Sequence, residues 1–408
     1  METNQKNGKL RRAIEMKPFK LAALFSHPIQ YFAPLFRQLS QEPEIDLTVY
    51  YCERWGVREY FDRGFYRRFK WDVPLLEGYH YKFLPNLRRS SKPGGFMQLI
   101  NPAIISELRR KRFDAIWVHG YMYLTNWLAF MAAQLTKTPI LLRGESNLLE
   151  PRPLHIRFAK ELVLRPLLQR VAGCLYIGTH NKKFYRYYGV PEERLFFTPY
   201  TVDNTFFRQQ AKRLAPKRRE FRAKWGVKDS RPIILFVGKL VSWKQPLLLL
   251  EAYKRVRQKF PCALLYVGDG PLRREIEKKV KQEAIPDVRI TGFLNQSEIP
   301  QAYVAGDILV LPSSHEPWGL VVNEGMNFAL PIIVSDRVGC APDLVHESEN
   351  GFVFPYHSVD SLARTIETLV TDPGRCRLFG QRSLEIIADW GLDQTVKGIL
   401  KALHSVRG

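Results

Sequence analysis

No run of apolar residues in this 408-residue chain reaches the roughly 18–20 needed to cross a bilayer as a helix. The best candidate, residues 124–135, is too short and is broken by Thr125 and Asn126. The first twenty residues, METNQKNGKLRRAIEMKPFK, hold no apolar stretch ahead of a cleavage site. No signal peptide is therefore expected, and the expected location is the cytoplasm. Cysteine is scarce: Cys52, Cys174, Cys262, Cys340 and Cys376 are odd in number, widely scattered and never spaced C-x-x-C. That excludes a disulfide framework or a zinc ribbon and predicts reduced thiols, mostly in the core. An Asp-x-Asp metal signature is missing as well, and so is any repeat of solenoid period.

What is present is an ordinary globular composition, 45% hydrophobic and 25% charged, in a chain long enough for two or three domains. Positive charge is in excess: 62 Lys and Arg against 40 Asp and Glu give +22. Residues 1–200 carry 32 basic and 17 acidic side chains (+15), and residues 201–408 carry 30 and 23 (+7). Residues 208–231 alone hold ten Lys and Arg against Glu220 and Asp229. Such a bias fits an anionic partner, namely nucleic acid, anionic lipid or a phosphorylated substrate, and equally a basic surface with no partner. Composition does not choose between them.

Short β-rich apolar runs alternate with helical patterns, which predicts an α/β chain of βαβ units and parallel sheets. In the first half strands are expected at 20–25, 46–51, 81–84, 115–118, 140–142 and 174–177, with amphipathic helices at 33–41, 102–112 and 154–170. Residues 53–80 show no clean period and are expected to be irregular. In the second half strands are expected at 232–237, 263–267, 288–291, 308–311, 332–335 and 352–354. Helices are expected at 246–260, 272–283, 298–305, 320–328 and 358–371. The expected division is a first Rossmann-like domain over 1–206, a basic linker over 207–230 and a second domain over 231–389. Two doubly wound parallel sheets would face each other across a cleft, at the carboxyl ends of whose strands ligands bind.

The strongest chemical signal is SSHEPWGLVVNEGM, residues 313–326, which follows a buried strand and opens a helix. The backbone N–H groups of Gly319, Leu320 and Val321 at that helix start suit a phosphate. Glu316 and Glu324 are eight steps apart, so they lie roughly 80° apart around a helix and two turns along it. They are placed to hold different parts of one elongated ligand, and a carboxylate suits a sugar or ribose diol. As an isolated pair, they would read as a helix cap and a solvated carboxylate.

They are not isolated. The stretch EPWGLVVNEGMNFALPIIVSDRVGCAPDLV resembles the retaining family 4 glycosyltransferases of GT-B fold, whose pattern is E-P-F-G-L-x-x-x-E-A followed by a strand and a G-x-x-E turn. Departures are Trp318, Gly325, Ala329 and Asp343, where Phe, Ala, Gly and Glu are usual. Upstream, Val237-Gly238-Lys239-Leu240 to Lys244 resembles the family's V-G-R-L-x-x-x-K, and Gly268-Asp269-Gly270-Pro271 its G-x-G-P. Val288 to Leu294 matches a further strand, so the resemblance covers about 150 residues in order. It implies that Glu324 grips the nucleotide ribose, that Glu316 contacts the donor sugar, and that Lys239 and Lys244 grip the diphosphate. Gly238, Leu294, Gly319, Leu320 and Val321 complete the implied donor site. Fixed cations and helix-end amides then stabilise the leaving diphosphate, with no metal and no cofactor.

The first half resembles the family less closely. His119 ends a strand where relatives carry a histidine beside the donor sugar, which implies a catalytic role; a satisfied loop histidine is the alternative. His27 ends the first strand, where the family often has glycines that are missing here, and is a candidate on the acceptor side. Arg143 and Glu145 follow another strand and either face the cleft on the acceptor side or form a packing salt bridge. Asp203 reads as structural. GT-B chains usually return to the first domain, so a C-terminal helix near 390–408 is expected to complete it.

The expected function is retaining, metal-independent transfer of a sugar from a nucleotide-diphosphate donor to a hydroxyl of a glycan or polyprenyl-diphosphate-linked acceptor. A nucleotide-sugar epimerase shares the architecture but fits the Glu316/Glu324 spacing poorly. A basic non-enzymatic protein binding membrane or nucleic acid is the third reading; no nucleic-acid module or basic-aromatic stacking motif is found, so no nucleic-acid partner is expected. An anionic membrane surface is the expected partner of the basic, aromatic stretches 54–71 and 87–96, making the chain peripheral on the inner face of the membrane.

Overall fold

The computed structural model describes residues 17–88, 94–150 and 153–407. The N-terminal segment read above for a signal peptide, and part of the 87–96 stretch, lie largely outside these residues. The first sheet is built from β1 (Phe19–Phe25), β2 (Ile45–Tyr51), β5 (Tyr81–Phe83), β6 (Ala115–His119), β7 (Ile140–Arg143), β8 (Gly173–Tyr176) and β9 (Leu195–Phe197). Its order is β5-β2-β1-β6-β7-β8-β9, and every pairing is parallel. Parallel neighbours need a crossover, which the helices α1 (Phe32–Leu39), α2 (Ala103–Lys111), α3 (Leu124–Thr136), α4 (Leu154–Arg170) and α5 (Thr179–Tyr187) supply everywhere but between β2 and β5, where residues 52–80 cross over without a helix. The strands are near-continuous apolar runs because both faces are covered.

Then come α6 (Asn204–Leu214) and α7 (Arg218–Lys224). The basic stretch 207–230, expected as a linker, is thus largely helical. Its arginines are spent on structure: Arg218 and Arg222 both pair with Asp307 (2.6 and 2.9 Å), and Arg222 is buried. A sequence count of charge cannot show that a cation already has its partner.

The second sheet holds β10 (Ile233–Val237), β11 (Ala263–Val267), β12 (Val288–Ile290), β13 (Ile308–Leu311), β14 (Ile332–Ser335) and β15 (Gly351–Phe354). Its order, β12-β11-β10-β13-β14-β15, is again all parallel. Around it lie α8 (Pro246–Arg257), α9 (Arg273–Gln282), α10 (Ile299–Ala305), α11 (Leu320–Met326), α12 (Ala341–Leu344), α13 (Val359–Val370) and α14 (Pro373–Ala388). The chain has the α/β GT-B arrangement, two Rossmann-like parallel sheets on a common cleft. Each sheet reverses its winding once, between β1 and β6 and between β10 and β13, and such switch points open the crevice where ligands sit.

The last helix, α15 (Leu392–Arg407), lies on the first sheet. Thr395 donates to the Pro199 carbonyl (2.9 Å), the His404 ring meets Phe19 edge-on (5.1 Å), and Arg407 donates to the Lys17 carbonyl (3.0 Å). All five cysteines are free, and four of them are buried.

Residues 53–80 are not wholly irregular. Among them β3 (Tyr60–Asp62) and β4 (Arg67–Phe69) form an antiparallel hairpin. The hairpin crosses to the second sheet, where Phe69, Phe65 and Trp71 surround Phe293 (4.5, 4.9 and 6.4 Å between ring centres) and the Arg67 guanidinium covers the same ring (4.9 Å). Asn295 donates to the Lys70 carbonyl (2.8 Å). Of the aromatics in the 54–71 stretch, Phe65, Phe69 and Trp71 are thus engaged between the domains, while Tyr66 is 69% exposed. Aromatic rings mixed with arginines suit either an interface within the chain or a lipid surface, and local sequence does not separate the two.

Candidate functional site

The site is assembled at the two switch points. From the second sheet, β10 delivers Gly238 and Lys239, and β13 leads through Ser313 to Glu316 and the start of α11. Gly319 caps α11 with φ +104°, a left-handed backbone that favours glycine and turns the chain sharply into the helix. At Gly268 a side chain is excluded by space: a Cβ would lie 1.8 Å from the Gly238 carbonyl oxygen. The β10 and β11 loops therefore touch backbone to backbone beneath Lys239.

Glu324 is fully buried. Tyr31, just before α1 in the first domain, donates to it at 2.9 Å, and Tyr303 of α10 donates from the other side. Burial pushes the Glu324 carboxyl up to about 7, opposed by the hydrogen bonds from Tyr303, Tyr31 and Gln296. Glu316 accepts from Lys244 and, at 3.4 Å, from Ser313. Lys239 pairs with Asp62 of the hairpin at 3.0 Å. Leu294 is half-buried beside Phe293. The structure thus brings Glu316, Glu324, Lys239 and Lys244 to the end of one sheet. Tyr31, Asp62 and Tyr303, which the sequence did not single out, are their partners. Their signal is tertiary; an isolated Tyr or Asp in a loop carries none.

Across the cleft, His119 ends β6 with its ring stacked on Phe25 (4.6 Å) and its Nε2 3.9 Å from Glu145. Burial holds the imidazole down to about 3, with Arg143 and His27 adding to the effect, so the ring is neutral at physiological pH. Its Nδ1 is buried without a hydrogen-bond partner. His27 is likewise held at about 4 by burial and shares a hydrogen bond with Ser26 (2.9 Å). Glu145 keeps about a third of its side chain open (35%), and desolvation by its surroundings raises its carboxyl against the pull of Tyr200 and Arg143.

Arg143 does not face the cleft. It is 1% exposed, lies among the rings of Phe32, Tyr200 and Trp117 (5.4, 5.4 and 5.7 Å), and donates to the Pro199 carbonyl (3.2 Å). It sits at the last residue of β7, where the strand pleat sends its side chain inward, while Glu145 two residues on leaves the strand toward the cavity. Asp203 caps α6 by accepting from the Phe206 amide (2.9 Å), a structural role.

A cavity of about 490 Å³ opens between the domains, walled by His119, Tyr121, Met122, Glu145 and Asn147 on one side and by His315 and Pro317 on the other. Among the described residues no group of three His, Cys, Asp or Glu side chains is arranged to hold a metal ion, and no helix is long and apolar enough to cross a membrane.

Comparison with known proteins agrees with this geometry. Residues 217–385 match the family described as glycosyl transferases group 1. The chain is similar to the alpha-D-kanosaminyltransferase of Streptomyces kanamyceticus, 31% identical over 45% of this chain and 47% of that protein. It therefore spans about half of that relative's length. It is also similar to the sulfoquinovosyl transferase SQD2 of Arabidopsis thaliana, 26% identical over 94% of this chain and 71% of that one. Among solved structures, Alr3699/HepE of Anabaena in complex with UDP-glucose superposes with a TM-score of 0.71 at 17% identity, covering 95% of this chain and all of that one (100%). The chain thus has the GT-B fold, and its residues 217–385 are similar to the glycosyl transferases group 1 family.

Proposed function

We propose that the chain is a retaining glycosyltransferase that moves a sugar from a nucleotide-diphosphate donor to a hydroxyl of a glycan or polyprenyl-diphosphate-linked acceptor. The observation that carries this reading is the contact of Lys244 with Glu316 beyond the strand ends of the second sheet, with Lys239 on the adjoining loop held by Asp62 and Glu324 on the helix that follows Glu316. The matched group 1 domain and the resemblance of its motifs support the same reading.

In this reading Glu324 accepts from the ribose hydroxyls, as it accepts here from Tyr31 and Tyr303. Lys239 and Lys244 lie against the diphosphate and offset the charge that grows on it as the glycosidic bond breaks; the first α11 amides add a fixed positive potential. These groups carry the charge without a metal. Glu316, held by Lys244, lies beside the donor sugar and orients its hydroxyls. His119 and Glu145 face that sugar from the acceptor side. His119, being neutral, offers a hydrogen bond without competing with the lysines for the diphosphate. A chain acting on a lipid-linked acceptor works peripherally at the inner face of a membrane.

The test is a donor screen with nucleotide-diphosphate sugars, followed by product NMR. Transfer with the donor's anomeric configuration kept supports the reading. Inverted product removes the retaining assignment, and epimerised donor without transfer favours the epimerase.

A further inference from the structure

Helix α4 (Leu154–Arg170) is apolar on two sides. Leu164, Leu167 and Leu168 point into the first domain's core and anchor it. On the solvent side Leu154, Phe158 and Leu162 follow one another at i, i+4 and i+8 and are 79%, 66% and 63% exposed. At about 100° per residue these three span roughly 80° of the helix surface, with Arg165 and Gln169 between them and Arg170 beyond. A surface helix of a globular chain normally shows one apolar stripe; a second, solvent-facing stripe marks a contact surface.

The occupant is set by charge and by the apolar side chains themselves. Helix α4 carries Arg157, Lys160, Arg165 and Arg170 against Glu161 alone, which lies 3.6 Å from Arg165, so a second copy would bring like charge against like. An anionic bilayer meets both demands: acyl chains take the projecting Leu and Phe side chains, and headgroups take the arginines. On the inner side of the same helix Lys160 lines the interdomain cavity, which Met122, 70% exposed, also lines.

We propose that the outer face of α4, formed by Leu154, Phe158 and Leu162 with Arg165 and Arg170, docks the chain on an anionic lipid bilayer. The docking surface stands by itself; the presentation of a lipid-linked acceptor to the docked chain rests on the transferase reading above. The basic hairpin 60–72, whose rings are engaged with Phe293, is the lesser contributor.

The experiment uses the full chain, without donor, and vesicles of phosphatidylcholine alone or mixed equally with phosphatidylglycerol. Cosedimentation is expected with the mixed vesicles and to fall at high salt. The combined variant Leu154→Ser, Phe158→Ser, Leu162→Ser should bind roughly tenfold or more weakly, since three apolar side chains no longer enter the interface. Leu378→Ser, at an equally exposed leucine of the second domain, should bind as the wild type does. A Phe158→Cys chain labelled with an environment-sensitive fluorophore should shift to the blue on the mixed vesicles, and a labelled Leu378→Cys chain should not. Wild-type chain that ignores anionic vesicles, a combined variant that binds undiminished, or a silent probe at position 158 overturns the proposal. So does a wild-type dimer that the combined variant splits without loss of vesicle binding. No step of this test needs transferase activity. A failed donor screen therefore leaves it standing, and its failure leaves transfer to a soluble acceptor standing.

Discussion

Tyr31 and Glu324, 293 residues apart in sequence, share a 2.9 Å hydrogen bond across the cleft. The tyrosine hydroxyl stands where the proposed reading puts a ribose hydroxyl, so first domain and donor compete for one carboxylate. Tyr31→Phe should leave the fold intact and tighten nucleoside diphosphate binding by a fewfold, whereas Glu324→Gln should weaken it by roughly tenfold, a change of about 1.4 kcal/mol. Calorimetric titration reads both. Tighter binding by Glu324→Gln would remove the ribose assignment. Glu316→Gln should lower kcat more than it raises KM.

The raised carboxyl of Glu324 has a signed consequence for stability. At about 7 when folded against about 4.5 in the unfolded chain, the native state binds the extra proton between these values. Stability from this group is therefore full below about pH 4.5 and is lost as pH rises toward 7, by on the order of 3 kcal/mol. His27 and His119, held at about 4 and 3, act with the opposite sign: their neutral folded forms cost stability as pH falls below about 6.5. Denaturant melts of wild type and Glu324→Gln between pH 4.5 and 7.5 isolate the first effect. Their difference should drift steadily with pH, and a constant difference would show that the carboxyl titrates normally.

Phe293 is the ring on which the hairpin turns. Phe293→Ala should cost about 1–3 kcal/mol, because three aromatic neighbours and one guanidinium lose their partner. The loss should be local to the contact between domains. Hydrogen exchange in residues 60–72 should quicken while exchange in β10 and β13 is unchanged. Uniform quickening over both sheets would mean that the ring supports the core instead.

Arg143 is a charge among rings, with Nε and Nη1 lacking hydrogen-bond partners, and burial lowers its guanidinium to about 10. A buried cation of this kind is often replaced at no loss by an apolar side chain of similar length. Arg143→Met should melt within a few degrees of the wild type, and Arg143→Glu should fail to fold. If Arg143→Met unfolds as well, the single bond to the Pro199 carbonyl is the decisive contact.

A methyl group is enough to test the backbone contact beneath the donor site. Gly268→Ala places a Cβ 1.8 Å from the Gly238 oxygen on a backbone of φ +146°, so the β10 and β11 loops must part. The expected cost is several kcal/mol, with nucleotide binding lost before the fold is. Thermal melts with and without nucleoside diphosphate separate the two.

The sheets were legible because parallel strands buried on both faces leave unbroken apolar runs. Residues 263–267 and 332–335 have the same limits in the sequence and in the structure. The short strands escaped: β9, Leu195–Phe197, is an edge strand of three residues, too brief to show a period. In the candidate site, Glu316, Glu324, Lys239 and Lys244 stood out because their motifs resemble those of a known family; spacing alone would have left the two glutamates as a cap and a solvated carboxylate. For Arg143 the sequence left the cleft and a packing role both open, and the structure has the side chain packed inside. The strand end is visible in sequence, but the direction of a side chain there depends on the pleat, and one residue's shift in register reverses it. Tyr31 and Asp62 were invisible, since both meet their partners only after the two domains dock.

Helix α15 is threaded back to a sheet whose last strand, β9, precedes the entire second domain in the chain. Its apolar side, Val396, Ile399, Ala402 and Leu403, is buried there, and Gly398 lets the helix backbone approach the Phe197 carbonyl. During synthesis the first domain must wait, with that groove uncovered, until the whole second domain has left the ribosome. A protease cut between the sheets would not yield two independent modules, because each fragment would carry a piece of the other's interior. Efforts to express the first half alone should append residues 392–407 through a flexible tether.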